Sequence, residues 1–393
     1  MRSAVLSVLV LFAGCSFVVA GSSPSGDAAA PGGDLGVSPD GAMTPTTDAA
    51  MMGARDLAGT TGPVAWRKSI TIDNTKVSGA LADFPVWIDL TDADLAAHAQ
   101  ANGSDIFFTA ADGTTRLDYE IQGWSAASHR LLAWVRVPSL GSGAPTVIYL
   151  VYGAVNPAPA PNAPGVFASS FAAVWHLDDA TPAAAIADAT GTHAGTPALT
   201  AATSAVSAKL GNGLSFTGSN DTIGFTNPLT GNHAHTISVW VSQRSVTHAS
   251  AVVVVGTPMM SQARWLDAHF TSAVLAVGFY TNDWTTSTNL DGAGWTLVHW
   301  VFEGANGKNH LYQNGVEIAG SPQMLSGVNT TGTTGVIGHA PEPAYGTNMG
   351  LDGTIDELRI ATVARSAGWI STEYANQSSP GTFYAVGAEQ PLP

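Results

Sequence analysis

Cysteine is almost absent from this chain: 393 residues hold one, Cys15. A single thiol excludes any internal disulfide. Basic residues are scarce too, with 14 Lys and Arg against 29 Asp and Glu and a net charge of −15. Nucleic acid is therefore not an expected partner, because phosphate binding needs clustered Lys and Arg. Charge of either sign is sparse, at 11% of residues. No apolar run approaches the roughly 20 residues that cross a bilayer as a helix. No repeat recurs at a period of about 20–50 residues, which argues against solenoids and propellers. A G-x-S-x-G elbow, a P-loop and a dinucleotide fingerprint are missing, so those chemistries have no footing in the sequence.

What is present begins with Arg2 and an apolar stretch from Ala4 to Ala13, followed by small residues. Led by one positive charge and about half as long as a membrane span, the stretch reads as a secretory signal. Cys15 stands directly behind it. The segment Phe12-Ala13-Gly14-Cys15 resembles the bacterial lipobox, with Phe12 where leucine is usual. That resemblance implies that residues 1–15 form a lipoprotein signal with Cys15 as the lipidated residue. The alternative is an ordinary signal beside an incidental cysteine. Each buried lipid methylene contributes about 0.8 kcal/mol, so several acyl chains anchor stably. The expected location is a membrane surface, the outer membrane or the cell exterior. Residues 16–62 are rich in Ala, Gly, Pro, Ser, Thr and Asp and show no periodicity. They cannot bury enough apolar surface to offset ordering entropy, and read as a disordered linker spanning roughly 35–40 Å.

Residues 63–153 change character. "KSITIDN", "FPVWIDL", "RLDYEIQGW", "RLLAWVRV" and "TVIYLVYG" alternate apolar and polar side chains. Period two with Gly breaks predicts antiparallel strands with one buried face. Asp112-Gly113 is a hairpin signal. Thr91 or Asp92 is placed to cap a short helix that Gly103 would end. A small β-sandwich is expected. The segments "FPVWIDL", "NGSDIFFTAADGTTRLDYEIQGW", "AWVRVPSL" and "IYLVYG" resemble a bacterial family known as domain of unknown function 2341. A Pro/Ala linker, residues 154–166, follows.

Residues 167–393 continue the β pattern. "HTISVWVSQ", "SAVVVVG", "WTLVHWVFEG" and "GTIDELRIAT" are strands, and Asn314-Gly315 is the strongest short hairpin signal. Ser366 is placed to cap a helix, "AGWISTEYANQ". Trp240, Trp295 and Trp300 lie in alternating strands and are assigned to the core. "VWHLDD", "KLGNGLSFTGSND", "HTISVWV", "GWTLVHWVFEGANGKNHLYQNGVEIAG" and "LDGTIDELRIATVARSAGWISTEYANQ" resemble a laminin-G-like, concanavalin A-like lectin domain. The fold class expected is thus all-β: two β-sandwiches in series after a disordered linker, the second a concanavalin A-like jelly roll.

Three groups of residues are candidates for chemistry. Calcium takes six to eight oxygen ligands, and relatives of the lectin-like fold hold a calcium in strand-end loops. Asp178 in "WHLDD" and Asp356 in "TIDELRI" match those segments and are the candidate ligands of one structural calcium. The alternative is turn capping or pairing with Arg359 and Arg365. Second, jelly-roll glycosidases place their acids as E-x-D-x-x-E on one strand face. Here Asp356 and Glu357 are adjacent, which puts them on opposite faces, and a third acid is missing. Hydrolysis is therefore not expected. Third, "GFYTNDWTTSTN" places Tyr280 and Trp284 beside Asn282 and Asp283, and Tyr345 lies in another long loop. Aromatic faces stack on sugar rings while amides and carboxylates take the hydroxyls. The alternative for Trp284 is hairpin packing. The expected activity is non-catalytic binding of carbohydrate or protein at the cell surface, in adhesion or polymer capture. A glycan-degrading hydrolase and an envelope scaffold are the alternatives.

Overall fold

The computed structural model describes residues 65–153, 160–179, 184–200, 203–244, 247–270, 274–340 and 349–392. All of them fall in one compact unit, Thr60–Pro393. Cys15 and Tyr345 lie outside the described residues. Among those described, no helix is long and apolar enough to cross a membrane.

The first sandwich is built from β1 (Trp66–Ile72), β2 (Leu81–Thr91), β3 (Phe107–Ala110), β4 (Tyr119–Ser125), β5 (Arg130–Leu140) and β6 (Thr146–Tyr152). β1, β6 and β3 share one sheet, and β2, β5 and β4 share the other. Alternate side chains face inward, as the strand period requires. Ile70 and Ile72 of β1 meet Phe84, Val86 and Ile88 of β2 and Val135 and Val137 of β5 in one core. Helix α1 (Ala93–His98) opens on Asp92, whose carboxylate accepts from the Leu95 N–H at 2.9 Å. It stops well before Gly103, which turns the chain further on with φ +68°. A short helix, α2 (Ala163–Val166), follows.

The second sandwich begins with β7 (Phe171–Trp175), β8 (Thr196–Ala198), β9 (Ser204–Ser207), β10 (Asn212–Thr217), β11 (Thr222–Thr226) and β12 (His235–Gln243). It continues with β13 (Ser250–Gly256), β14 (Ala263–Phe270), β15 (Val274–Gly278), β16 (Asp283–Thr285), β17 (Thr296–Phe302) and β18 (Lys308–Gln313). β19 (Val316–Glu317), β20 (Gln323–Met324), β21 (Thr334–Ile337) and β22 (Asp352–Ala361) complete it. Among the described residues a nine-stranded sheet runs β19-β18-β17-β12-β22-β10-β9, with β20 on β18 and β7 on β22; a seven-stranded sheet runs β16-β15-β14-β13-β21-β11-β8. Trp300, Ile237, Val239 and Val241 of the first sheet meet Val253, Leu266 and Val277 of the second in the main core. Asn314 and Gly315 take φ +51° and +79°, and Tyr312 pairs with Glu317 around them, so the expected hairpin forms.

The sandwiches meet face to face. Trp87 and Trp134 project from the outer face of the β2–β5–β4 sheet. Trp240 and Leu297 project from the outer face of the nine-stranded sheet, and all four pack together with Phe167. Trp240 therefore belongs to this seam, not to the interior of its own sandwich, and Trp295 packs partly buried beside it.

The chain then returns to the first sandwich. Helix α3 (Ala367–Ser378) is capped by Ser366, whose hydroxyl accepts from the Trp369 N–H at 3.2 Å. After α4 (Pro380–Phe383) come β23 (Tyr384–Val386) and β24 (Gln390–Pro391), both antiparallel to β1. Trp369, Phe383 and Tyr384 enter the first sandwich's core. The sequence boundary placed all of residues 167–393 with the second sandwich; the structure puts the end of the segment on the first. β2 is an edge strand, and an open edge leaves backbone groups unpaired. Asn376 of α3 meets that need: it accepts from the Trp87 N–H at 2.7 Å and donates to the Trp87 carbonyl at 3.0 Å. The Tyr384 hydroxyl does the same at Asp89, at 2.9 Å each way.

Candidate binding site at the seam between the sandwiches

The seam is held by a buried chain of charges that sequence analysis did not foresee. His176, just past β7, hydrogen-bonds Glu357 of β22 at 2.7 Å and Glu120 of β4 at 3.1 Å. It thus joins the two sandwiches. Arg359 donates to Glu357 at 2.7 Å and to Glu373 of α3 at 3.2 Å, and lies 4.2 Å over the Trp134 ring. Glu373 also meets His299 at 3.1 Å. Burial alone would push the His176 pKa down; the charges of Glu357 and Glu120 outweigh it and hold the pKa well above 6.5. Burial pushes Glu373 up, but hydrogen bonding to His299 and the charges of His299, Arg359 and Arg365 bring it down to about 2.

A β-bulge explains how Glu357 reaches this network. Ser238 of β12 pairs with Arg359 and Trp240 with Asp356, so one residue of β12 faces two of β22. Glu357 takes φ +54° within that bulge. Ile355, Leu358 and Ile360 keep to the inner core. Asp356 and Glu357 are therefore both turned off the inner face, toward the first sandwich. This corrects the expectation that the two acids point to opposite faces: strict alternation fails where a residue is inserted.

Both acids are inaccessible, at 0% and 1% exposure. Asp356 accepts from the Leu210 N–H at 2.7 Å, and its other oxygen has no partner. Burial and then the charge of Glu357 push its pKa well up. Among the described residues no three His, Cys, Asp or Glu side chains are grouped to hold a metal ion. Asp178 and Asp356 offer two carboxylates toward the six to eight oxygens that calcium takes, with one Asp356 oxygen on the Leu210 N–H.

Asp178 lies within reach of the His176 and Glu357 charges and lines a cleft of about 340 Å³. Gln122, Trp124 and Arg130 line it from β4 and β5; Asp178, Ser207 and Asn212 line it from the second sandwich. Its size falls at the lower end of the range for small-molecule sites, about 300–1,000 Å³. Gln122 accepts from Trp134 Nε1 at 3.2 Å, and Trp124 donates from its indole to the Gln100 carbonyl at 3.1 Å, so both side chains are braced. Arg130 makes a bidentate pair with Asp89, 2.8 Å on each arm. Burial raises the Asp178 pKa, against the His176 charge.

The aromatic candidates of the second sandwich fall in the β15–β16 turn. Trp284 is 8% exposed and belongs to the main core, which is the packing alternative of the two. Asp283 accepts from Trp265 Nε1 at 2.8 Å. Asn282 donates to Ser261 Oγ at 3.2 Å and to the Ser326 carbonyl at 2.8 Å. Tyr280 and Thr281 sit at the turn tip with φ +60° and +59°. These residues are brought together, but the polar groups of Asn282 and Asp283 brace the turn.

The fold and seam define a chain of two stacked β-sandwiches, the second concanavalin A-like. Residues 217–371 match the family described as the concanavalin A-like lectin/glucanases superfamily, and residues 102–183 match the domain of unknown function DUF2341. No curated protein matches the chain. Among solved structures, the chain is similar to domain 4 of AbnA, a GH43 extracellular arabinanase from Geobacillus stearothermophilus, in complex with arabinotriose. That likeness has 19% identity and a TM-score of 0.40 over 52% of this chain and 98% of the other. The receptor binding domain of botulinum neurotoxin D is similar at 15% identity and a TM-score of 0.41, over 53% of each chain. The binding domain of Paraclostridial Mosquitocidal Protein 1 is similar at 12% identity and a TM-score of 0.40, over 51% of each. The chain thus spans about half the length of these two toxin chains.

Proposed function

We propose that this protein is a non-catalytic, lipid-anchored surface protein that binds carbohydrate in the cleft between its sandwiches. One observation carries the reading. The cleft brings together an indole, two amides, a hydroxyl and a carboxyl on its lining: Trp124, Gln122, Asn212, Ser207 and Asp178. Sugar rings offer an apolar face for the indole and hydroxyls for the rest. Asp356 and Glu357, the acids weighed against the glycosidase pattern, are buried beneath the surface. Opposed carboxyls must reach both sides of the scissile bond, and these two reach no substrate. Matching to a superfamily of both lectins and glucanases accommodates the reading. The membrane attachment rests on Cys15 and the apolar run before it.

A glycan array tests the binding. The intact protein is expected to retain a defined set of glycans, and Trp124→Ala and Asn212→Ala to lose them while keeping the wild-type unfolding midpoint. A chelator is expected to leave the array unchanged. A blank array with a robust protein partner would favour the scaffold alternative, and new reducing ends from a polysaccharide panel would favour the hydrolase. For the anchor, Cys15→Ala is expected to move the protein from the membrane fraction to the soluble one.

A further inference from the structure

Resting on the cleft reading above, we infer that the cleft selects uncharged sugars over uronate-, sialate- or sulfate-bearing ones, and that Asp178 is the residue that makes the distinction. Asp178 is the acidic side chain on the cleft wall. Behind it Glu120 and Glu357 are already matched by His176 between them and by Arg359 on Glu357, so no cation is left over there to face the cleft. The cation on the wall, Arg130, is neutralised by its two-armed pair with Asp89. Recognition of a ligand carboxylate uses a free guanidinium edge, and the Nε/Nη2 edge of Arg130 already holds a carboxylate.

Lys209, beside the cleft residue Gly211, also points its charge elsewhere. Its ammonium donates to the Ser378 carbonyl at 3.1 Å and lies 5.1 Å from the Trp240 ring centroid. The protein as a whole carries −15, so its long-range field repels anions too. What the wall offers freely is amide, hydroxyl and indole. Those groups bind sugar hydroxyls and ring faces without preference for charge, so discrimination falls to Asp178. A like charge placed opposite a carboxylate is strongly unfavourable and rejects the wrong ligand by repulsion.

The test pairs neutral oligosaccharides retained on the array with the same oligosaccharides carrying a uronate in place of the terminal hexose. Affinities are measured by titration calorimetry on the intact protein and on Asp178→Asn, which keeps size and removes charge; unfolding midpoints report whether the variant is folded. The wild type is expected to bind the uronate series about tenfold or more weaker. Asp178→Asn is expected to narrow that gap to within about threefold, whatever the lost carboxylate contact costs the neutral and uronate series alike. Equal wild-type affinity for both series, or an unchanged gap in the variant, overturns the inference. If Asp178→Asn does not fold, the wild-type comparison in low and high salt decides: a gap that salt does not narrow overturns it. Array hits confined to acidic glycans sink the specificity and leave glycan binding standing. No hits at all remove glycan binding itself, and the inference with it.

Discussion

Thr281 holds φ +59° directly after Tyr280 at +60°. This region costs an L-residue about 1–2 kcal/mol, and a β-branched one is most strained there. The turn survives because the Asn282 amide ties it to Ser261 and Ser326. Thr281→Gly is therefore expected to stabilise the protein by about 1 kcal/mol, read from urea unfolding; a loss of stability would show that the threonine side chain outweighs the strain. Asn376 gives the opposite case. Its one amide satisfies both backbone groups of Trp87. Asn376→Ala is expected to cost about 1–3 kcal/mol, because two buried groups lose their partners. Neither role was legible beforehand. Asn376 is one asparagine within a helical run, and nothing in its neighbours shows that it faces a strand nearly 300 positions earlier. Sequence did mark Asn314-Gly315, Ser366 and Asp92, because turn and cap chemistry acts over a few residues.

Strands behave as their alternation predicts until the pattern is interrupted. β2 places Phe84, Val86 and Ile88 inward, with Trp87 on the opposite face. β22 starts the same way, then inserts Glu357. A bulge leaves little trace in a single sequence when the inserted residue is not glycine, so the shared direction of Asp356 and Glu357 stayed hidden. Its consequence is the joint at His176. That imidazole's folded pKa lies well above its ordinary value of 6.5. The stability it contributes is fully present below about pH 6.5 and is lost as pH rises through the raised folded value. Thermal melts across the alkaline range are expected to show that fall. His176→Gln should flatten this part of the profile, and a profile unchanged by the substitution would remove His176 from the joint.

The whole molecule is less modular than its sequence. Composition and period two were enough to read two β-sandwiches, because burial of alternate side chains is a local signal. The seam depends on Trp87, Trp134 and Trp240, which interrupt that signal and look like ordinary core aromatics. The cleft was missed for the same reason: its walls are contributed by segments about 80 residues apart, and its one candidate residue, Asp178, was read as a metal ligand. If the return of the chain to β1 completes the first sandwich, residues 65–153 expressed alone should lack a cooperative melt, and joining residues 367–392 to them should restore one. A cooperative melt of the shorter fragment would count against that dependence.

That return also sets a timetable. The second edge of β1 is covered by β23 and β24, more than 300 residues downstream. Pairings so distant in sequence close slowly, and domains otherwise tend to fold as they emerge from the ribosome. Here the second edge of β1 stays uncovered until β23 and β24 have been made, so the closing stitch of the first sandwich is also among the last residues synthesised.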